Sequence, residues 1–288
     1  MTQDDQNFYY TAKEGIVKVD KKTNTAFLLY PREGVSLVNY NKGKLYFNDS
    51  SNDRLIKSID ISGKGEKVVW NMDDHKNLKQ ISKVYGIAEF QIYNDEFYIW
   101  TNGITVIRYN PVTNKTEAFL DDVGILKFSE NYAYYIDHAQ RTFSIYRKNL
   151  KTGETILLRG DGKTKERYEE PSVPLYDNLV FVGNQLYYTT RLPYTLRKYD
   201  ENGPDPILAR TQDRFFGSLE PSKDALYYVT ATEKENISLL WKLDVASGNS
   251  MQIKQLVGFS PFDDMKIVDG RIFYYSSTED KVMTFPLP

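Results

Sequence analysis

Six carboxylates, Glu89, Asp121, Asp122, Glu220, Asp263 and Asp264, fall at or near the starts of short apolar runs along this 288-residue sequence. Brought to one opening, such hard oxygen donors could hold Ca²⁺ or Mg²⁺, with Glu89, Asp263 and Asp264 as the trio assigned to the metal. The chemistry would be metal-assisted hydrolysis or elimination. Acids are also common in loops, and a solvated charge is the plainer reading of any one of them.

A second set is softer in character. Tyr85, Trp100, Arg191, Tyr194, Arg214, Phe216 and Phe262 fall near the same run entries or in the turns between runs. Rigid aromatic bodies with directed guanidinium donors suit recognition of a protein, peptide or glycan. Packing between sheets is the competing reading for each aromatic, since large rings dominate sheet cores.

Signatures of other chemistries are missing. His75 and His138 are the only two histidines and lack ligand-like spacing, and there is no cysteine. No Gly-x-Ser-x-Gly elbow, phosphate-binding glycine loop or sialidase-type Asp box occurs, so the expectation is a non-catalytic module without a cofactor.

The elements that position these residues repeat. Phe8-Tyr9-Tyr10, Leu45-Tyr46-Phe47, Phe97-Tyr98-Ile99, Ala133-Tyr134-Tyr135, Leu186-Tyr187-Tyr188, Leu226-Tyr227-Tyr228 and Ile272-Phe273-Tyr274 recur at intervals of 37, 52, 36, 53, 40 and 46 residues. These intervals surround the length of a β-propeller blade. After each of the first six comes an alternating run that closes on Asp20, Asp60, Asn110, Asn149, Asp200 or Asp244, then a turn residue: Asn24, Gly63, Asn114, Gly153, Gly203 or Gly248. Asx side chains bond the backbone two residues on, and Gly or Asn accepts positive φ, so each pair predicts a hairpin. Runs on either side complete four antiparallel strands per repeat.

The expected architecture is therefore an all-β propeller forming one domain over residues 1–288, with seven blades and six as the alternative. Only seven residues precede Phe8, and the last repeat stops early, so the first and last blades are expected to be thin. The long intervals place extra loop at residues 71–84 and 159–175, both on the face where one blade connects to the next. Lys18, Lys57, Arg108, Arg147, Lys198 and Lys242 recur in the third strand, where alternation predicts a solvated face.

Composition narrows the partners. Lys and Arg number 37 against 39 Asp and Glu, a net charge of −2 with the signs interspersed, which argues against a nucleic-acid surface. No stretch approaches the roughly 18 apolar residues of a membrane span. The start, Met-Thr-Gln-Asp-Asp-Gln-Asn, is polar and unlike an export signal. The expectation is a monomer, exported or associated with the bacterial cell envelope after removal of a preceding signal, and zero cysteine is equally compatible with the cytosol.

With the repeat laid out, Leu45-Tyr46-Phe47-Asn48-Asp49, followed by Arg54-Leu55-Ile56-Lys57-Ser58-Ile59-Asp60-Ile61-Ser62-Gly63-Lys64-Gly65, resembles the YWTD signature of low-density-lipoprotein-receptor-type propellers. The chain is more similar still to bacterial propeller domains of unknown function that carry the pattern in degraded form. Phe47 replaces the signature Trp, and Asp49 keeps the signature acid. The resemblance implies the fold over nearly the whole chain. For activity it implies little, since that architecture hosts binding, scaffolding and catalysis alike, including sugar-lactone hydrolases with axial carboxylates.

Overall fold

The computed structural model describes residues 1–75, 78, 86–101, 105–137, 143–160, 175–191, 193–211, 216–232, 237–259, 265–268, 270–276 and 281–287. These form seven antiparallel sheets, each a meander in sequence order, and together they make a seven-bladed β-propeller. Its chain divides into two compact units, Met1–Val123 and Gly124–Pro288.

The first unit carries three blades. Blade 1 comprises β1 (Thr2–Gln3), β2 (Asn7–Ala12), β3 (Gly15–Asp20) and β4 (Ala26–Pro31). Blade 2 follows as β5 (Val35–Asn41), β6 (Lys44–Asp49), β7 (Asn52–Asp60) and β8 (Lys67–Asn71), and blade 3 as β9 (Ile87–Tyr93), β10 (Glu96–Thr101), β11 (Thr105–Asn110) and β12 (Lys115–Leu120). The first blade is thus not thin. Thr2 and Gln3 pair with Tyr9 and Phe8, and Thr2 Oγ1 accepts the Tyr40 amide at 2.9 Å, tying the chain start to blade 2.

The second unit carries four. Blade 4 comprises β13 (Val123–Ser129), β14 (Tyr132–Asp137), β15 (Ile145–Asn149) and β16 (Thr155–Arg159), with Val123 the one residue that precedes the unit boundary. Blade 5 is β17 (Leu175–Val182), β18 (Gln185–Arg191), β19 (Thr195–Lys198) and β20 (Ile207–Arg210). Blade 6 is β21 (Phe216–Pro221), β22 (Ala225–Ala231), β23 (Ile237–Asp244) and β24 (Ser250–Val257). Among the described residues blade 7 has three strands, β25 (Met265–Val268), β26 (Arg271–Ser276) and β27 (Lys281–Pro286).

Every aromatic pair lies in a second strand, and most of the paired side chains are buried on both faces. Tyr9, Phe47 and Ile99 are fully buried, and Tyr98, Tyr187, Tyr188 and Phe273 nearly so. Successive side chains of a strand point to opposite faces, so burial of neighbours means that both faces of the blade are covered. Clusters fill the spaces between blades within each unit: Ile56 and Trp70 of blade 2 pack with Phe90, Phe97 and Tyr109 of blade 3, and Leu196 of blade 5 with Phe216, Leu226 and Leu243 of blade 6.

The turn chemistry follows the predicted mechanism. Asp20 Oδ1 accepts the amides of Lys22 and Thr23 at 2.9 and 2.7 Å, and Asn110 Oδ1 those of Val112 and Thr113, both at 3.0 Å. Gly63 has a φ of 79°, and a Cβ there would meet the Leu29 carbonyl oxygen at 2.4 Å, so glycine is required twice over. Gly203 departs from the pattern, because its φ lies outside the left-handed region and its turn closes on a different residue, Asp205.

Two further expectations change. Within 71–84 the chain makes a 3-10 turn, Met72–His75, where His75 stacks on Trp70 at a centroid distance of 5.5 Å and burial lowers the imidazole's proton affinity; most of the remainder, and 161–174 of the second long loop, lie outside the described residues. The third-strand cations are not simply solvated. Lys57 is buried and reaches Asp49 Oδ2 at 3.1 Å, while Lys18, Arg147 and Lys242 lie over the rings of Tyr9, Tyr132 and Tyr227. Lys18 and Lys242 cap the directly opposed aromatic of the second strand and Arg147, opposite Tyr134, the diagonal Tyr132, because opposed and diagonal positions of an antiparallel pair lie on one face.

Candidate functional site

First strands of propeller blades border the axis, where side chains from successive blades can converge. In the second unit β13, β17, β21 and β25 line an open cavity of about 610 Å³. Its walls carry Ile125, Lys127 and Phe128 from β13, Asp177 through Phe181 from β17, Arg191 from the end of β18, Phe216 through Pro221 from β21, and Met265 with Lys266 from β25.

Two β-bulges shape it. Tyr176 pairs with Thr190 and Asn178 with Thr189, so Asp177 is the extra residue of β17. Phe216 pairs with Thr230 and Leu219 with Tyr228, which leaves Gly217 and Ser218 opposite Val229 alone. A bulge bends its strand and re-aims the side chains beside it, and here both bulged segments face the cavity.

Charge converges on this space. Arg191 Nη2 lies 2.6 Å from Asp177 Oδ1, with the arginine side chain half exposed. Lys266 Nζ lies 3.0 Å from Glu220 Oε2, and the glutamate side chain is only 13% exposed. Burial pushes the Glu220 carboxyl above the usual carboxylate range, although Lys266, the Ile267 amide and Lys127 all pull the other way. The wall thus holds a carboxylate whose anionic form is poorly solvated and only partly neutralised.

The predicted residues are distributed unevenly. Arg191 and Phe216 line the cavity, Phe216 also packing 5.4 Å from Tyr228, and Glu220 is the one member of the carboxylate set brought there among the described residues. Tyr194 is half-buried against the core shared by blades 5 and 6. Trp100 is buried in β10 of the first unit, its Nε1 without a hydrogen-bond partner among the described residues. Glu89 is exposed on β9, opposite Trp100, and accepts Gln91 Nε2 at 3.2 Å. Asp121 and Asp122 occupy the turn before β13, with Asp122 at a φ of 63°. Tyr85, Arg214, Phe262, Asp263 and Asp264 lie outside the described residues, and among the described residues no three His, Asp or Glu side chains gather as a metal would require.

Sequence reasoning missed Lys127, Asp177 and Lys266. Each is a charge inside a short run that otherwise reads as a buried first strand, as in Leu126-Lys127-Phe128 or Met265-Lys266-Ile267. A charge at such a position must find a partner or a cavity, and that was the available signal.

Seven antiparallel blades make a β-propeller, and a cavity of mixed polar and apolar lining lies against the first strands of four of them. No protein-family model matches the sequence, and no curated protein is similar to it. Solved structures share the fold at low identity. Kluyveromyces lactis Hsv2 is 10% identical with a TM-score of 0.66, over 100% of this chain and 96% of that one. A chain from the complex of S. cerevisiae Dbp5 bound to Nup159, Gle1, IP6 and ADP is 9% identical with a TM-score of 0.59, over 98% and 86%. An oligogalacturonate lyase in complex with manganese is 11% identical with a TM-score of 0.58, over 99% and 84%.

Proposed function

We propose that this protein is a non-catalytic recognition module, of the YWTD-like propeller type, that seats a group of a protein, peptide or glycan ligand in the cavity of its second unit. The observation that carries the reading is the cavity itself. Its volume of about 610 Å³ falls within the roughly 300–1,000 Å³ of ligand sites, and Phe128, Phe181 and Phe216 supply apolar wall beside convergent charged groups. Similarity to a chain of a multi-protein complex supports a partner-binding role, and similarity to a manganese-bound lyase marks the alternative that the same fold can serve.

Glycan and peptide arrays probed with the purified protein test the reading. Bound features should disappear for Arg191→Ala combined with Phe181→Ala, with the circular dichroism spectrum unchanged. Features retained by that variant, or none bound by the parent, would sink the proposal. The competing metal-assisted reading through Glu89, Asp263 and Asp264 predicts a thermal shift with Ca²⁺ or Mn²⁺ that a chelator reverses. Export to a bacterial cell envelope and a monomeric state complete the proposal; fractionation and sedimentation of the native protein check them.

A further inference from the structure

Resting on the recognition reading above, the chemistry of the cavity goes further. Three cations, Lys127, Arg191 and Lys266, face two carboxylates, Asp177 and Glu220. Among the described residues that line it, the charged groups sum to one positive unit, and protonation of Glu220 makes that two, which favours an anionic guest. Arg191 offers the strongest anchor. Asp177 engages it through Nη2, and half of the arginine side chain stays exposed. A guanidinium edge matches the two oxygens of a carboxylate. Phe181 and Phe216 also line the cavity and give apolar wall for a carbon skeleton that a bare inorganic ion would leave unfilled.

Glu220 lies on the same wall. The groups that face it are Lys266 from β25 and Lys127 from β13, with the Asp177–Arg191 pair across the cavity and Tyr227 opposite it in the β21–β22 register. A second negative charge entering this space penalises the Glu220 anion further. Taking up a proton removes that repulsion and releases the Lys266 ammonium from its ion pair to face the guest.

We propose that the cavity binds a small organic carboxylate, held by Arg191 and Lys266, and that binding is coupled to protonation of Glu220.

Calorimetric titration of the full chain with galacturonate, succinate, galactose and inorganic phosphate at pH 6 and pH 8 tests this. Both carboxylates should bind, at least about tenfold tighter at the lower pH, with proton uptake visible as a dependence of the heat on buffer ionisation. Galactose, which differs from galacturonate by the acid, and phosphate should each bind at least about tenfold more weakly. Glu220→Gln should keep carboxylate binding and abolish both the pH dependence and the proton uptake, whereas Arg191→Gln should weaken binding about tenfold or more at either pH.

Equal binding of galactose and galacturonate, equal binding of phosphate and succinate, a pH-independent parent, or no binding of either acid would each overturn the inference. Failure of the broader reading is separable from this. Array ligands that bind the parent and vanish with Arg191→Ala and Phe181→Ala keep the cavity as a recognition site even if both acids fail.

Discussion

Asp205 and Glu220 are carboxylates of the same unit, each largely withdrawn from water and each facing a cation, yet their surroundings drive them in opposite directions. Asp205 receives Arg159 Nε at 2.5 Å and Arg159 Nη2 at 2.7 Å, the Asp200 amide at 2.7 Å, and the Tyr188 hydroxyl. Burial alone would raise its carboxyl, but Arg159, Tyr188 and the amide outweigh burial and hold it below the usual range. Glu220 has one ammonium at 3.0 Å, the Ile267 amide and a cavity on its open side, and for it burial wins. What decides between clamp and site is the number of donors fixed to the acid rather than the depth at which it lies.

The Asp205 clamp joins two blades. Arg159 ends β16 of blade 4, while Tyr188 belongs to β18 and Asp205 precedes β20 of blade 5. Arg159 also lies over the Tyr199 ring at 4.3 Å. Removing Asp205 takes the carboxylate from a part-buried guanidinium, which keeps only the Leu158 and Asp200 carbonyls, and leaves the buried Tyr188 hydroxyl without its acceptor. Asp205→Ala is therefore expected to cost about 3–5 kcal/mol, the usual loss when one partner of a buried pair is deleted, read from the urea midpoint at constant m. A loss below about 1 kcal/mol would place the clamp with ordinary surface pairs and erase the contrast with Glu220.

Next in size is Tyr188→Phe. The ring stays buried against Tyr176, 5.3 Å away, and only the hydrogen bond to the carboxylate is lost. About 1.5–3 kcal/mol is expected for a bond to a charged group, and the same substitution combined with Asp205→Ala should cost little beyond Asp205→Ala alone. Additive losses would show that the hydroxyl acts independently of the clamp.

The first unit offers a smaller version of the same lesson. Asp49 is buried, accepts Ser51 Oγ at 2.6 Å, and pairs with Arg32 and, at 3.1 Å, with Lys57. Burial raises its carboxyl, but Ser51 and Lys57 overcome that and bring it down to about 2. Its contribution is therefore complete above the ordinary value of 3.8 and lost as pH falls through about 2. Acid unfolding of Asp49→Asn should lack this component between those limits. A parent and variant with parallel stability profiles from pH 4 to pH 2 would contradict it.

These contrasts mark where sequence is legible. The blade repeat is written in local terms, an aromatic pair, an Asx residue and a turn residue, each acting within a few positions, and so the strands and hairpins could be read directly. Asp49 stood out in the sequence only through a resemblance, which gave no hint of its partners Arg32 and Lys57. Arg159 and Asp205 stand 46 residues apart and meet only because blades 4 and 5 stack, so no spacing announces them. The nearest signal is that Pro204 and Pro206 flank Asp205, fixing the backbone and removing two competing amide donors. The cavity was half legible: Arg191, Phe216 and Glu220 were marked by type and position, while the bulges at Asp177 and at Gly217-Ser218 depend on pairing register and left no local trace. Trp100 and Tyr194 were marked by type alone, and blade packing took them.

The smallest expected stability change belongs to Glu220→Gln, and it is the sharpest divider of the two carboxylates. The amide keeps the shape and can accept the Lys266 hydrogen bond, while the cost of burying an anion disappears. A change within about 1 kcal/mol of the parent, of either sign, is expected at pH 7, against the large loss at Asp205. The pH slopes should oppose each other as well. The Glu220 carboxyl is raised above its ordinary 4.5, so the folded state holds its proton more tightly than the unfolded chain does. Its contribution is then most favourable below 4.5 and declines as pH rises through the elevated folded value. The Asp205 contribution is full above 3.8 and falls as pH drops toward its lowered value. Urea midpoints measured from pH 3 to pH 8 should show Glu220→Gln gaining on the parent as pH rises. A variant that instead loses ground toward pH 8 would mean that Lys266 outweighs burial, making Glu220 a second clamp rather than the open side of a site.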